Sequence, residues 1–224
     1  MKNNNLDTIG RRSLMSGMGA AAVAGLAISA TPASAQTSSF EPKRHSLDAW
    51  MDQLPGDHRV FIDTSDASGG SNALLYANNI FNAQVDAYEG KTEDLAMIVC
   101  YRHGSTPFAF NDAMWEKYGK AFFGLTQLAD PATGEAPTKN MLNNAGYPGA
   151  HTIDSLAAKG LQYAVCNNAT KLTASFVARE AGISQEEAYA ELIANAIPNA
   201  HFVPAGVIAL TRAQEYGYSL LYAA

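Results

Sequence analysis

The sequence predicts an α/β fold, a three-layer sandwich built on a mainly parallel sheet of about five strands. Short apolar runs bounded by turn residues alternate with longer segments of helical periodicity, which is the order that a parallel sheet requires. The apolar runs are continuous, as expected of strands that are covered on both faces. With 224 residues, of which 47% are hydrophobic and 16% charged, the chain suits one compact domain.

In the N-terminal half, two buried strands flank one long helix. The strands are the apolar runs Arg59–Asp63 and Leu95–Cys100, and the helical spacing of apolar residues lies between them, at 74–85. Pro107–Tyr118 is also predicted to be helical. The following segment, Phe122–Tyr147, is rich in glycine, asparagine and proline, which predicts an irregular insertion.

In the C-terminal half, predicted strands and helices follow one another with short connections. Gly160 and Gly182 end two predicted helices, and Ser184 forms a capping box with Glu187 that opens another. The predicted elements are, in order, a helix over 152–159, a strand at Leu161–Cys166, a helix from about Ala169 to Glu180, a helix from Ser184 to about Ala196, a strand at Ala200–Pro204, a helix at Gly206–Tyr216 and a last strand at Tyr218–Tyr222.

The N-terminus has the order of an export signal. Arg11 and Arg12 precede the weakly apolar run Met18–Ala30, which is followed by the small-x-small sequence Ala33-Ser-Ala35 that signal peptidases accept. The two arginines resemble those of a Tat signal, and an ordinary Sec signal is the alternative. We therefore predict a periplasmic protein that is cleaved after Ala35.

The composition excludes several classes of protein. A net charge of −6 without a basic stripe does not suit nucleic-acid binding, because phosphate contacts need clustered lysines and arginines. No run reaches the roughly 20 apolar residues of a membrane-spanning helix, so no membrane contact is predicted for the mature chain. Two cysteines are too few for a disulfide scaffold. Asp66–Gly70 matches neither a dinucleotide-binding motif nor a P-loop, and no cofactor is predicted.

The sharpest chemical signal is Cys166. It ends a predicted strand, and Asn167 and Asn168 lead directly into a helix. Parallel sheets bind their ligands at the carboxyl ends of the strands. A thiol at that junction meets the free N–H groups and the partial positive charge of a helix start, which favour a reactive thiolate. The alternative is a small buried side chain that completes the strand.

Cys100 ends a second strand and leads into a polar turn. Arg102 is suited to hold an anion there and His103 to move a proton, whereas a surface arginine and a hydrogen-bonded turn histidine are the alternative. A disulfide between Cys100 and Cys166 would require neighbouring strands in register. A metal site that combines both cysteines with His103 and His151 has no closely spaced ligand pair, and no metal is predicted.

Several segments resemble the DsrE/DsrF-like proteins of sulfur relay. Leu161–Asn168 looks like the strand, cysteine and helix element of that family, and Val203–Tyr218 is similar to its C-terminal signature. The segments 75–83 and 95–103 resemble its first helix and second strand.

The resemblance covers about residues 58–224 and implies a flavodoxin-related domain that is often trimeric or hexameric. The polar segment 36–57 is predicted from its composition to be a linker with a short helical turn near Leu47–Leu54. Residues 105–150 would be an insertion that a minimal member of the family lacks. The resemblance also implies that Cys166 carries sulfur as a persulfide, exchanged with a donor or acceptor protein. The expected supporting shell consists of Cys100, Arg102, His103, Asn167 and Asn168.

The sequence therefore predicts an exported DsrE-like protein that binds or relays sulfur on Cys166. One alternative is a non-catalytic module that binds a small ligand or a partner in the periplasm. Another is a structural oligomer in which Cys100 and Cys166 form a disulfide. Family members of this kind are typically cytoplasmic, and the export signal is the point at which this chain departs from them.

Overall fold

The structure is a computed structural model that describes residues 41–144 and 151–224, and the predicted signal segment 1–35 lies outside them. It confirms the α/β class, with a five-stranded sheet in the order β4-β3-β2-β1-β5. The strands are β1 (His58–Thr64), β2 (Leu95–Tyr101), β3 (Gln162–Cys166), β4 (Ala200–Val203) and β5 (Ser219–Ala223). The α-helices are α1 (Ala49–Gln53), α2 (Ala67–Asp86), α3 (Asp112–Thr126), α4 (Ile153–Ala158), α5 (Asn167–Ala181), α6 (Gln185–Ala194) and α7 (Gly206–Glu215).

All four strand pairs in the described residues are parallel, a stricter arrangement than the mainly parallel sheet that the sequence predicts. The carboxyl ends of the strands therefore lie at one edge of the sheet. The register places Asp63 of β1 beside Cys100 of β2, and Cys100 beside Ala164 of β3. The strands that carry the two cysteines are thus direct neighbours.

Helices cover both faces of the sheet and give the sandwich its three layers. The face that carries Val60, Met97 and Tyr163 packs against helices α2 to α6 in the larger core. The face that carries Phe61 and Ile98 packs against α1 and α7 in a smaller core. Burial on both faces is the reason that the three central strands β1, β2 and β3 contain continuous apolar runs. None of the described helices is long and apolar enough to cross a membrane.

The segment after β2 differs from its prediction. In place of one helix over Pro107–Tyr118, a 3-10 helix at His103–Ala109 is followed by α3, which continues to Thr126. Helical structure therefore occupies the first residues of the stretch at 122–147 that was expected to be irregular. The reason is packing, because the side chain of Phe122 is fully buried in the larger core.

Helix α3 bends in its middle, where a loop crosses it. Tyr118 has non-helical backbone angles (φ −125°, ψ 16°), and its hydroxyl donates a hydrogen bond to Glu191 of α6. Gly119 follows, and the carbonyl oxygen of Pro137 occupies the space that a Cβ atom at this position would need. The loop after α3 therefore depends on a glycine for its close approach to the helix.

Residues 46–54, which the sequence assigns to a linker, pack against the smaller core. Met51 is fully buried, and its carbonyl oxygen accepts a hydrogen bond from the Tyr218 hydroxyl at 2.6 Å. The ring of Trp50 stacks on His201 of β4, with centroids 4.0 Å apart and an interplanar angle of 4°. The compact unit accordingly begins at Pro42.

Two glycines of α3 provide a matched pair of substitutions. We expect Gly119→Ala to destabilise the protein by about 1–3 kcal/mol, because the new methyl group overlaps a backbone oxygen. Gly124→Ala meets no atom within 4 Å, so we expect it to stabilise the same helix by about 0.5–1 kcal/mol. Urea denaturation of the three proteins measures both changes. Equal effects of the two substitutions would contradict the packing of the loop on Gly119.

The half-buried histidine of β4, His201, makes stability depend on pH. Burial lowers the pKa of His201 below its usual 6.5. The unfolded chain therefore binds a proton at a higher pH than the folded chain, and stability is lost as the pH falls below about 6.5. We expect His201→Gln to reduce this loss, measured as the change in the urea midpoint between pH values of about 7.5 and 5.5.

Burial also lowers the pKa of His151, which contributes a pH dependence of the same sign. The informative quantity is therefore the difference between the parent protein and the His201→Gln variant. An identical decline in both proteins would show that His201 titrates normally in the folded state.

Candidate functional site

The carboxyl ends of β1, β2 and β3 bring the main predicted site residues to one edge of the sheet. Asp63, Cys100 and Ala164 form one row across these strands. Side chains two residues further along a strand lie on the same face, so the next row contains Arg102 and Cys166. The register thus places Arg102 and Cys166 in one row, with Cys100 one row deeper in the sheet, while the guanidinium of Arg102 turns towards Asp63 of β1.

The thiol of Cys166 lies at the junction of β3 and α5. Its Sγ accepts a hydrogen bond from the Ala169 amide at 3.4 Å, which makes Cys166 the N-cap residue of the helix. The helix therefore begins at Asn167, earlier than predicted. The Thr170 hydroxyl donates to the carbonyl oxygen of Cys166 at 3.0 Å and closes the first turn. Cys166 is 6% exposed, so only the edge of this residue reaches solvent.

Arg102 is held in place by a buried carboxylate. Its Nε and one terminal nitrogen each lie 2.8 Å from a different oxygen of Asp63, which is the two-point geometry of a strong ion pair. Asp63 is 2% exposed, while the side chain of Arg102 keeps some contact with solvent. The hydrogen bonds that Arg102 donates to Asp63 raise the pKa of Arg102, so the guanidinium keeps its charge. The sequence does not single out Asp63, although its place at the end of a predicted strand is a usable signal.

His103 follows Arg102 in a left-handed backbone conformation, with a φ of 50°. Its Nδ1 lies 3.2 Å from the second terminal nitrogen of Arg102. Arginine only donates hydrogen bonds, so Nδ1 is the acceptor and we assign the ring proton to Nε2. The residue is exposed at the surface of the site. The contact therefore joins the predicted proton carrier to the predicted anion-holding arginine.

Cys100 is a buried thiol beneath this surface. Burial, together with the nearby Asp63 carboxylate, raises the pKa of Cys100 well above its usual value. The start of α7 covers it, because a Cβ atom on Gly206 would come within 3.1 Å of the Cys100 Sγ and 2.9 Å of the Arg102 Cβ. Cys100 is consequently a neutral packing residue, a different environment from that of Cys166.

Both cysteines are free, which contradicts the disulfide considered from the sequence. Cys166 lies two residues beyond Ala164, the register partner of Cys100. With strands about 4.8 Å apart and a rise of about 3.3 Å per residue, the two Cα atoms are about 8 Å apart. A disulfide spans at most about 7 Å between Cα atoms. The strands are neighbours, but their register separates the thiols.

Buried hydroxyl groups that the sequence does not single out form hydrogen bonds to the backbone of the site. The Ser105 hydroxyl is fully buried and accepts a hydrogen bond from the Arg102 amide at 3.0 Å. The Thr64 hydroxyl lies 2.7 Å from it and links the 3-10 helix to β1. At the side of the site, the hydroxyls of Ser65 and Tyr222 are 2.7 Å apart. Serine and threonine are common at strand ends, so only the tertiary contacts distinguish these residues.

The two predicted asparagines have different surroundings from those expected of a shell around the thiol. The side-chain oxygen of Asn167 accepts a hydrogen bond from the Tyr189 hydroxyl at 2.6 Å, which ties α5 to α6. Asn168 is exposed. Within residues 41–144 and 151–224, no group of three or more His, Cys, Asp and Glu side chains is arranged to hold a metal ion.

Comparisons with known proteins assign neither a family nor an activity. No family model matches the chain, and no curated protein matches it. Among solved structures, the chain is similar to a protein of unknown function, MTH1491, from Methanobacterium thermoautotrophicum. The identity is 14%, the match covers 74% of this chain and 99% of that one, and the TM-score is 0.38.

The buried ion pair between Asp63 and Arg102 can be compared with an ion pair at the surface. We expect Asp63→Asn to destabilise the protein by about 2–3 kcal/mol, because it leaves the Arg102 charge without its buried partner. Asp52 is 54% exposed in its side chain and pairs with Arg59 at 3.4 Å. We expect Asp52→Asn to cost less than about 1 kcal/mol, as surface pairs do. Urea denaturation at neutral pH compares the two, and equal costs would show that the Asp63 pair is no stronger than a surface pair.

Proposed function

We propose that this protein is an exported, DsrE-like sulfur carrier in which Cys166 holds sulfur as a persulfide. The observation that carries the proposal is the position of the thiol. It ends a central parallel strand, accepts the Ala169 amide as the cap of α5, and shares a row with Arg102. A backbone amide at a helix start is a suitable hydrogen-bond donor to a negatively charged sulfur atom.

The proposed step is a thiol–persulfide exchange in which no oxidant is consumed. The Cys166 thiolate attacks the outer sulfur of a donor persulfide, R–S–SH, and forms a new S–S bond to that sulfur. The S–S bond of the donor breaks at the same time, and the donor leaves as the thiolate R–S⁻. Cys166 then carries –S–SH, and the reverse reaction with an acceptor thiolate passes the sulfur on. The number of S–S bonds and the total charge are unchanged.

The site limits what can deliver the sulfur. Because Cys166 is only 6% exposed, the donor must be a small inorganic species or a narrow extended end of a partner protein. His103 is exposed beside Arg102, with its Nε2 proton available to the leaving thiolate. Cys100 is fully buried and neutral, so it does not compete for the donor.

Export remains part of the proposal and rests on the sequence. The twin arginine and the sequence Ala33-Ser-Ala35 support transport to the periplasm with removal of residues 1–35. The intact mass of the protein recovered from the periplasm would test this, since a chain that keeps these residues there would contradict cleavage after Ala35. The same measurement shows any sulfur adduct that the protein acquires in the cell.

We expect the full-length chain to gain one sulfur atom, about 32 Da, on Cys166 when it is incubated with inorganic polysulfide. Alkylation and peptide mass spectrometry locate the adduct. Cys166→Ser should abolish it, and Cys100→Ser, the matched control, should leave it unchanged. Reduction of the loaded protein should release the sulfur as sulfide and restore the original mass.

The opposite pattern would support the alternative function. A folded protein whose Cys166 neither gains sulfur nor reacts with a small alkylating reagent is not a carrier. The remaining function would then be a binding module in which Cys166 only completes a strand and caps a helix. An adduct on Cys100 alone would contradict the assignment of the thiol.

A further inference from the structure

We propose that two copies of this chain associate about a two-fold axis through the outer edge of β5 and the adjoining face of α2. In the described part of the chain, β5 pairs with β1 alone and lies at one end of the sheet. Its Leu220, Leu221 and Tyr222 side chains are exposed by 38%, 40% and 54%. An exposed apolar edge strand is a template for pairing with another strand.

The helix beside this edge has an unusual surface. From Ala67 to Val85 α2 carries no charged residue, although 16% of the whole chain is charged. Leu75 and Tyr76 are exposed on it, together with uncharged polar residues. The stretch from Gly217 to the end of β5 also has no charged residue. Interface cores are depleted of charged residues and enriched in tyrosine, which is the pattern seen here.

The helix and the strand form one continuous surface. The side-chain amide of Asn72 donates to the backbone oxygen of Ala224 at 2.7 Å, and Gly69 lies directly against the end of β5. Asn72, Leu75 and Tyr76 share one side of the helix, since residues three and four apart lie together. Leu221 is in register with Ile62, whose side chain belongs to the core under α2, so Leu221 lies on the α2 face of the sheet.

A second copy is the occupant that covers both parts at once. If two β5 strands pair antiparallel about an axis perpendicular to the sheet, both α2 helices stay on the same face and meet above the new seam. With the axis at the middle of the strand, Leu221 lies opposite Leu221 of the other copy. Leu220 then lies opposite Tyr222, and apolar pairs of this kind stabilise antiparallel strands.

The size of the surface suits this occupant. A helix of 20 residues is about 30 Å long and about 10 Å across, so with the strand edge it offers roughly 450–500 Å² per copy. Twice that area is at the lower end of the range for specific interfaces. A two-fold contact builds a dimer, or a hexamer made of dimers. It does not by itself build the trimer that the family resemblance also allows.

Sedimentation velocity on the full-length chain tests the association, and it is independent of the sulfur chemistry of Cys166. We expect a dimer or a multiple of dimers at micromolar concentration. Leu221→Lys should weaken association at least tenfold, because it places two like charges opposite each other at the seam. Leu172→Lys is the matched control, since Leu172 is 54% exposed on α5 and should leave association unchanged.

A second variant keeps the edge free of charge. Leu221→Cys should form a covalent dimer under mild oxidation, because the two thiols face each other across the axis, whereas Leu172→Cys should remain monomeric on a non-reducing gel. A parent chain that is monomeric at about 100 μM, two orders of magnitude above the micromolar concentration at which association is expected, would overturn the proposal. An oligomer that both lysine variants leave intact would overturn it too.

Discussion

The constraint on which the site depends is the parallel register of β1, β2 and β3. Parallel pairing brings three carboxyl ends to the same edge, and the register decides which side chains share a row. Arg102 and Cys166 share a row because each lies two residues beyond the registered pair of Cys100 and Ala164. A shift of one residue in β3 would turn Cys166 to the other face, towards the larger core.

The two cysteines have different environments although they are neighbours in the sheet. Cys100 and Cys166 lie on the same face of neighbouring strands, and one row of the sheet separates them. The deeper thiol is covered by Gly206 and kept neutral by burial. The outer thiol has a backbone amide as its partner and an edge in contact with solvent. The sequence context of the two residues is similar, and their depth differs.

A buried ion pair between Asp63 and Arg102 stabilises this edge of the sheet. Asp63 is buried among the strands and would be costly without a partner, and Arg102 satisfies both of its oxygens. The pair fixes the guanidinium, which in turn fixes the tautomer of His103. The ion pair therefore fixes the positions of Arg102 and His103 at this edge, while the hydroxyls of Thr64 and Ser105 tie the 3-10 helix to the sheet.

The part of the structure that could be predicted from the sequence is the part governed by local chemistry. Continuous apolar runs mark the three central strands, and glycines and a capping box mark several helix ends. The start of α5 could not be placed correctly, because its cap is a cysteine and not one of the usual Ser, Thr, Asp or Asn residues. The extension of α3 to Thr126 depends on the burial of Phe122, which local pattern does not reveal.

The sequence by itself determined the α/β class, the two strand-end cysteines and the polar turn that follows the first of them. Only the tertiary structure decided that the thiols are too far apart for a disulfide, that Asp63 holds Arg102, and that Asn167 contacts α6. The physical reason is that strand periodicity is a local property with a period of two residues. Register and depth, by contrast, depend on which strands pair and on which helix covers them.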